Sequence, residues 1–350
     1  MEVVEINTID EFDRLKATWD DIYRSDPNVT IQRSWQWMRG WIEGTTYNWL
    51  VLAVRKNQKT PFVAFLVLGF DVGKDTSVMI HMGGTPVAAH TGFACMPKYE
   101  KEAVSTIARY LQKKKEWIKL EAKDVLDQRL DSFANNFNKF KYRIVRKSPT
   151  ICPYFNLPDT WDKYLEQYLG KETRRTLVKK FRRIERDLDY RETEANKENI
   201  DNHTEIIFEF WQRRWGQKPE ILLDQIRSIY NSCMDNNSLY LAAMWDNATP
   251  IAAVAGYVDH EKKTFSCFMS GYDEKFDKYS PGNLIIAHSI KYAIQCGLSQ
   301  YDLGRGEMEY KYSLGANQSE NQNILIVRRH PKEILKNTLR RIRRKFLMLP

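Results

Sequence analysis

Nothing in this 350-residue chain approaches the roughly 18 consecutive apolar residues of a membrane-spanning helix. Cysteine is scarce: Cys95, Cys152, Cys233, Cys267 and Cys296 are scattered singly, with no C-x-x-C pair. That odd number speaks against a disulfide framework and a zinc site, and predicts free, largely buried thiols in a reducing compartment. The six histidines (His81, His90, His203, His260, His288 and His330) fall at no metal-ligand spacing, so no metal is expected. There is no G-x-x-x-x-G-K-[ST] loop, no H-E-x-x-H and no G-x-S-x-G elbow. Gly304-Arg305-Gly306 lacks the third glycine of a dinucleotide fingerprint. Kinase, hydrolase and dehydrogenase readings thus find no direct support. The opening residues, MEVVEINTIDEFDRL, are acidic and lack the basic-then-apolar order of a secretory leader. A cytoplasmic protein is expected.

What is present points to a packed, two-domain chain. Hydrophobic residues make up 43% and charged residues 28%, which excludes wholesale disorder. The net charge of +9 is not spread evenly. Residues 328–350 hold Arg328, Arg329, Lys332, Lys336, Arg340, Arg341, Arg343, Arg344 and Lys345 against Glu333 alone, leaving the body nearly neutral.

An internal duplication organises the sequence. Residues 50–64 read LVLAVRKNQKTPFVA, and 239–253 read LYLAAMWDNATPIAA. At a constant offset of 189, Leu50/Leu239, Leu52/Leu241, Ala53/Ala242, Thr60/Thr249, Pro61/Pro250 and Ala64/Ala253 are identical. Each copy is two apolar runs joined by a polar turn, a hairpin signal. Ahead of the hairpins stand Trp37/Trp41 and Trp211/Trp215, each pair four apart and so on one helical face. After each hairpin the pattern predicts a strand, a helix (about 100–113 and 283–296) and a short strand (117–121 and 300–303). The expected fold is therefore α/β with mixed sheets, two copies of one unit. The expected boundaries are 1–147, 148–330 and a tail helix over 331–350, with Asp159 or Thr160 capping the first helix of the second unit. A basic helix follows over 174–188, where Leu177, Phe181, Ile184 and Leu188 form one apolar stripe. Its other faces, rich in Arg and Lys, are either a solvated surface or an anion-facing one.

Two segments of the second half can carry chemistry. In SGYD…KYSPGN, a strand runs into Tyr279-Ser280-Pro281-Gly282-Asn283 and then a helix. This is either an ordinary turn or a phosphate site at a helix start, where free N–H groups and the helix dipole meet an anion. In YDLGRGEMEYK, a strand ends at Gly304, and charged and phenolic groups crowd the loop after it, where α/β folds place their sites. There Glu307, or Asp302 through a water, is the candidate base, Tyr310 the candidate proton donor, and Lys311 the candidate oxyanion stabiliser. An ion-paired surface loop is the bland alternative.

The order FW..RW (Phe210, Trp211, Arg214, Trp215), SGYD, YSPG, an amphipathic helix and YDLGRG…YK resembles the CelD-like or BioF-like acetyltransferases of the GNAT superfamily, relatives of the Fem-type peptidyltransferases. The likeness is strongest over 161–315. It extends to LGKETRRTLVKKFRR and, more weakly, to PNVTIQRSWQWMRGW in the first half. It implies a tandem GNAT-like fold, in which Tyr279, Ser280, Pro281, Gly282 and Asn283 stand where the acyl-CoA pyrophosphate loop would be. Of that loop's pattern only Gly282 matches, which leaves an aminoacyl-tRNA donor, as in Fem-type relatives, as an alternative to acetyl-CoA or another acyl-CoA. The resemblance also implies that Lys311 stabilises the charged intermediate, that Arg305 and Glu307 occupy the G-R-G-[DE] positions, and that Trp211, Arg214 and Trp215 line the acceptor cleft. The Trp pair has core packing as its plain alternative.

The expected activity is acyl transfer from acyl-CoA to an amine of an amino-sugar, polysaccharide or cell-envelope precursor, the acceptor being a small-molecule or lipid-linked saccharide. A Fem-type transferase acting on a peptidoglycan precursor and a non-catalytic GNAT-like binding module are the alternatives. The first unit has WIKLEAKDV where the second has the YDLGRG…YK segment, so one active site per chain is expected. In the tail, Leu335, Leu339, Ile342, Phe346 and Leu349 form a narrow stripe amid arginines. Three readings stand: peripheral contact with the inner membrane face, a grip on RNA such as tRNA, or docking on the protein body. No DNA partner is expected.

Overall fold

The computed structural model describes residues 1–72 and 78–329; the expected tail helix lies outside them. The chain opens with β1 (Glu2–Ile6), α1 (Ile9–Arg14), α2 (Lys16–Ser25) and α3 (Trp35–Gly44). Next come β2 (Asn48–Arg55), β3 (Phe62–Val72), β4 (Val78–Met82), β5 (Ala94–Cys95), α4 (Glu100–Lys113), β6 (Trp117–Val125) and α5 (Arg129–Asn135). A long β7 (Tyr142–Asn156) leads to α6 (Trp161–Gln167), α7 (Lys171–Asp187), β8 (Tyr190–Glu194), α8 (Ile200–Trp215) and α9 (Glu220–Asp235). The remainder is β9 (Leu239–Asp246), β10 (Thr249–Asp259), β11 (Thr264–Tyr272), α10 (Pro281–Gln295), β12 (Gln300–Asp302), α11 (Glu309–Ser313) and β13 (Asn317–Arg328).

These elements form two compact units. The first holds Met1–Trp35, Thr46–Thr150 and the segment from Asn321; the second holds Gln36–Thr45 and Ile151–Glu320. In the first, strands neighbour in the order β1-β2-β3-β4-β6-β13, with β4 and β6 parallel. In the second, the end of β7 and then β12-β11-β10-β9-β8 form the sheet, with β11 and β12 parallel. At the boundary expected between residues 147 and 148 the chain has no loop: β7 runs through Lys147-Ser148-Pro149. Side chains serve the strand where Pro149 has no N–H to give, since Asn323 Nδ2 donates to Ser148 O (2.7 Å) and to Thr150 Oγ1 (3.0 Å).

The duplication is real at the level of register. Leu52 pairs with Leu66 and Ala53 with Phe65; at the same offset of 189, Leu241 pairs with Ala255 and Ala242 with Val254. Each hairpin carries a bulge near its turn, at Val54/Arg55 and at Pro250/Ala252. One expectation needs correcting. The helix directly before the second hairpin is α9, so the Trp211/Trp215 helix, α8, is not the positional counterpart of α3.

Two cores result. In the first unit, Val104, Ile107 and Leu111 of α4 pack on Leu52, Leu66, Ile80 and Leu120 of the sheet. In the second, Leu284, Ile285 and Ile290 of α10 meet Val254, Phe265 and Tyr301, and the stripe of α7 joins through Leu177 and Ile184. As expected, Thr160 caps α6, accepting from Lys163 N (3.3 Å).

Within the second unit, α3 lies against α9 at backbone distance. A Cβ on Gly40 would stand 2.6 Å from Ile229 Cα and 2.8 Å from Ser228 O, and neither backbone atom can move aside cheaply. Gly40→Leu is therefore expected to lower stability by about 1–3 kcal/mol, read as a fall in the urea midpoint at constant slope. Gly170→Ala, with no atom within 4 Å of the added carbon, is the control and stays within about 0.5 kcal/mol of wild type.

Candidate active site

The site begins where two parallel strands part. β12 pairs with β11 only at Thr264↔Gln300, Phe265↔Tyr301 and Ser266↔Asp302. β11 then continues to Tyr272, while the segment after β12 turns away at Gly304, whose φ is +68°. Residues 267–272 thus present a strand edge without β12 beside it. Gly304 sits so close to β11 that a Cβ there would lie 2.8 Å from Cys267 O. Close approach and left-handed backbone both require glycine at this position.

Asp302 ties the turn together and is itself buried. Its Oδ1 accepts from Gly304 N–H (2.8 Å) and its Oδ2 from the Ser266 hydroxyl (3.2 Å). α11 then returns Lys311 beneath the turn. Its Nζ donates to Gly304 O and Arg305 O, each at 2.9 Å, and the side chain is only 3% exposed. Two of the three ammonium N–H bonds are committed, leaving one for a ligand. Burial lowers the Lys311 pKa, with Cys267, Asp302 and Cys152 opposing the shift. Burial pushes the neighbouring Tyr310 phenol up to about 12; Cys267 adds to the shift and Arg214 opposes it. Burial likewise raises the Cys267 thiol to about 11, against a hydrogen bond from Tyr301 and the charge of Lys311.

The start of α10 forms the second part. A 3₁₀ turn over Glu274–Tyr279 ends at Ser280, held in the left-handed region (φ 57°, ψ 51°), and Pro281 opens the helix. Asn283 and Leu284 both send their N–H groups to Ser280 O (3.0 and 3.3 Å), so of the first turn only Gly282 keeps an N–H for a ligand. Gly282 rests on the Tyr272 ring; a Cβ would come 2.8 Å from Tyr272 Cδ1. Cations attend this turn. Lys180 and Arg183 of α7 donate to Lys278 O (2.7 and 3.2 Å), and Arg183 and Lys278 lie over the Tyr279 ring at 5.4 and 4.8 Å.

The fold brings several of the sequence-derived residues together. Arg214, on the last turn of α8, acts electrostatically on both Tyr272, against which Gly282 rests, and Tyr310, the neighbour of Lys311. Others stand apart. Tyr279 is buried in the core of the second unit. Glu307 is exposed and accepts from Tyr312 OH (3.2 Å) and Gln318 Nε2 (2.8 Å). The Arg305 side chain is exposed, its carbonyl serving Lys311. Asn283 is exposed at the helix start. Trp215 is 54% exposed under Arg214, and Trp211 lies under Lys218, so neither Trp fills the core. Ser266 and Cys267 escaped the sequence reading. Tyr272 entered it only as part of SGYD, and Lys180 and Arg183 only among the cations of the anion-facing alternative for the basic helix.

The family described as acetyltransferase (GNAT) domain matches residues 171–312, from α7 into α11. No curated protein matches the chain in sequence. Among solved structures, FemX superposes with a TM-score of 0.65 at 13% identity, covering 93% of this chain and 97% of its own. The C-terminal domain of a putative lysylphosphatidylglycerol synthetase from Agrobacterium fabrum gives 0.57 at 11%, covering 95% of each chain. A tandem GNAT protein from the clavulanic acid biosynthesis pathway, solved without acetyl-CoA, gives 0.56 at 11%, covering 94% of this chain and 99% of its own. This chain has the Fem-like fold of the GNAT superfamily, built as a tandem of two GNAT-like units.

Proposed function

We propose that this chain is an N-acyltransferase, moving an acyl group from acyl-CoA to an amine of an amino-sugar, polysaccharide or cell-envelope precursor on the cytoplasmic side. The acceptor is a small or lipid-linked saccharide. The observation that carries this reading is the Lys311 ammonium, buried where β11 and β12 part and left with one N–H to give. Two features fit acyl-CoA. The edge over 267–272 suits the amides of an extended pantetheine arm, and Gly282 N–H with Lys180, Arg183 and Lys278 suits its phosphates. When bound, acyl-CoA supplies an activated carbonyl carbon.

The protein's own groups then divide the work. Lys311 stabilises negative charge developing on the acyl oxygen, at little reorganisation cost because its carbonyl partners already hold it. Tyr310, with its pKa raised to about 12, stays protonated at neutral pH and serves as proton donor to the leaving group. Glu307, in contact with solvent, or Asp302 through a water, takes the proton of the attacking amine. Arg214, Trp211 and Trp215 orient the acceptor. Asp302 also fixes the turn on which Lys311 depends.

In the first unit the corresponding opening is filled by the chain. β6 continues to Val125, where Thr91 bridges to it, and Arg33 donates to Gly83 O (3.0 Å) and His90 O (2.6 Å) of the intervening loop. This supports one donor site per chain. The sparse first turn of α10, with Gly282 N–H alone, favours a second reading in which the donor is an aminoacyl-tRNA.

Calorimetric titration with acetyl-CoA separates the two. The expected result is one site per chain, with affinity at least about tenfold weaker in Gly282→Trp, where the new side chain meets the Tyr272 ring. Absence of heat and of a thermal shift, followed by acyl transfer from a charged tRNA, would overturn the acyl-CoA reading.

A further inference from the structure

The second unit contains a cavity that none of the residues gathered at Lys311 lines. It lies among α6, α7, β8 and α10 and measures about 440 Å³, within the range of small-molecule sites. Its apolar wall is made by Trp161, Leu165, Leu177, Val178 and Phe181. These come from two helices that present their other faces to solvent, so the hollow is not a packing remnant deep in the core.

The charged groups around it separate into those already satisfied and those left over. Glu192 accepts from Tyr190 OH and meets His288 Nε2, while His288 Nδ1 pairs with Tyr240 OH (2.9 Å). Arg191 donates to Asn247 O (3.2 Å) and lies over the Trp245 ring at 4.6 Å. Three charges at the rim make no hydrogen bond or ion pair with any described residue: Arg182, Lys291 and Glu185. The balance among them is positive, and the surroundings strengthen it. Val178 and Arg182 also line an adjoining groove of about 810 Å³ on α7, bounded by Arg174, Arg175, Lys179 and Arg186 with Asp187 as its one acid. An apolar hollow thus opens onto a strongly cationic lip.

We infer that this cavity is a second ligand site and that it takes an amphipathic organic anion. The apolar body lies on Trp161, Leu165, Leu177 and Phe181, and a carboxylate or phosphate head meets Arg182 and Lys291. Both cations sit on elements that reach the start of α10: Lys291 on α10 itself, and Arg182 on α7 beside the Lys180 and Arg183 that hold Lys278 O. The site stands on this geometry alone and does not depend on the identity of the acyl donor or acceptor.

Calorimetry on the whole chain tests it, with octanoate, octyl phosphate and octylammonium as probes, each below its micelle concentration. The two anions distinguish a carboxylate from a phosphate head. One of them is expected to bind at one site per chain, and octylammonium at least about tenfold more weakly. Arg182→Gln combined with Lys291→Gln, both exposed positions, is expected to weaken the anion at least about tenfold while the thermal midpoint stays close to wild type. Leu165→Trp, which fills the hollow from a half-buried position, is expected to abolish binding with the charges intact. Absence of heat with both anions, equal or tighter binding of octylammonium, or unchanged anion binding in either variant would overturn the proposal.

Discussion

Lys311→Ala is expected to lower kcat by about 10²–10³-fold while KM for donor and acceptor stays within about twofold, the signature of an interaction made chiefly in the transition state. The size follows from the burial of the ammonium and its fixed placement on two carbonyl oxygens, which make it a preorganised charge. The pH profile gives an independent readout. The active form is protonated, so activity falls as pH rises through the Lys311 pKa, and burial places that limb below the ordinary lysine range. Tyr310 does not produce the limb, because its phenol remains protonated until about pH 12. Lys311→Arg is expected to retain part of the activity and move the limb upward, since a guanidinium holds its proton throughout this range. Steady-state kinetics between neutral and alkaline pH check this. A rise in KM at constant kcat, or an alkaline limb unmoved in Lys311→Arg, would remove Lys311 from the role assigned to it.

Much of the scaffold was legible because duplication and periodicity are properties of the string itself. Leu52, Ala53 and their counterparts Leu241 and Ala242 share register as well as identity, since in a strand a shift of one residue would turn every apolar side chain to the wrong face. The bounds of α4 matched its apolar spacing, and the stripe of α7 lies where Leu177 and Ile184 required. What escaped was set by contacts distant in sequence. β7 passes through Lys147-Ser148-Pro149 because Asn323 hydrogen-bonds its backbone, and no local rule marks a strand whose stop signal is answered by a residue far along the chain. α9 had its own signal, with Leu223, Ile226, Ile229, Tyr230 and Cys233 at helical spacing, although it holds no tryptophan pair like that of α3. At the site, YDLGRG…YK marked Asp302 and Lys311 through their crowding. Ser266 and Cys267 lie in an ordinary strand pattern and acquire a role only because β12 stops beside them.

Gly304→Ala is expected to cost more activity than any other single-methyl addition in the second unit. At φ +68° an alanine carries a backbone penalty of about 1–2 kcal/mol, and its Cβ would also stand 2.8 Å from Cys267 O, a backbone atom of β11. The strain can be relieved only by moving the turn away from β11. That movement shifts both ends of the local network, since Gly304 gives its N–H to Asp302 and its carbonyl to Lys311. A displacement of about 1 Å at such a site is enough to lose about 10²-fold in rate. Gly306→Ala separates the two causes. Its φ of +97° carries comparable backbone strain, yet no atom lies within 4 Å of the added carbon, and neither its N–H nor its carbonyl touches Asp302 or Lys311. Both variants are therefore expected to lose about 1–3 kcal/mol in urea titration, whereas only Gly304→Ala loses turnover about a hundredfold. Equal loss of turnover in the two would mean that general loosening of the loop, and not the hold of Gly304 on Lys311, governs the chemistry. Full turnover in Gly304→Ala would move the reacting centre away from this turn altogether.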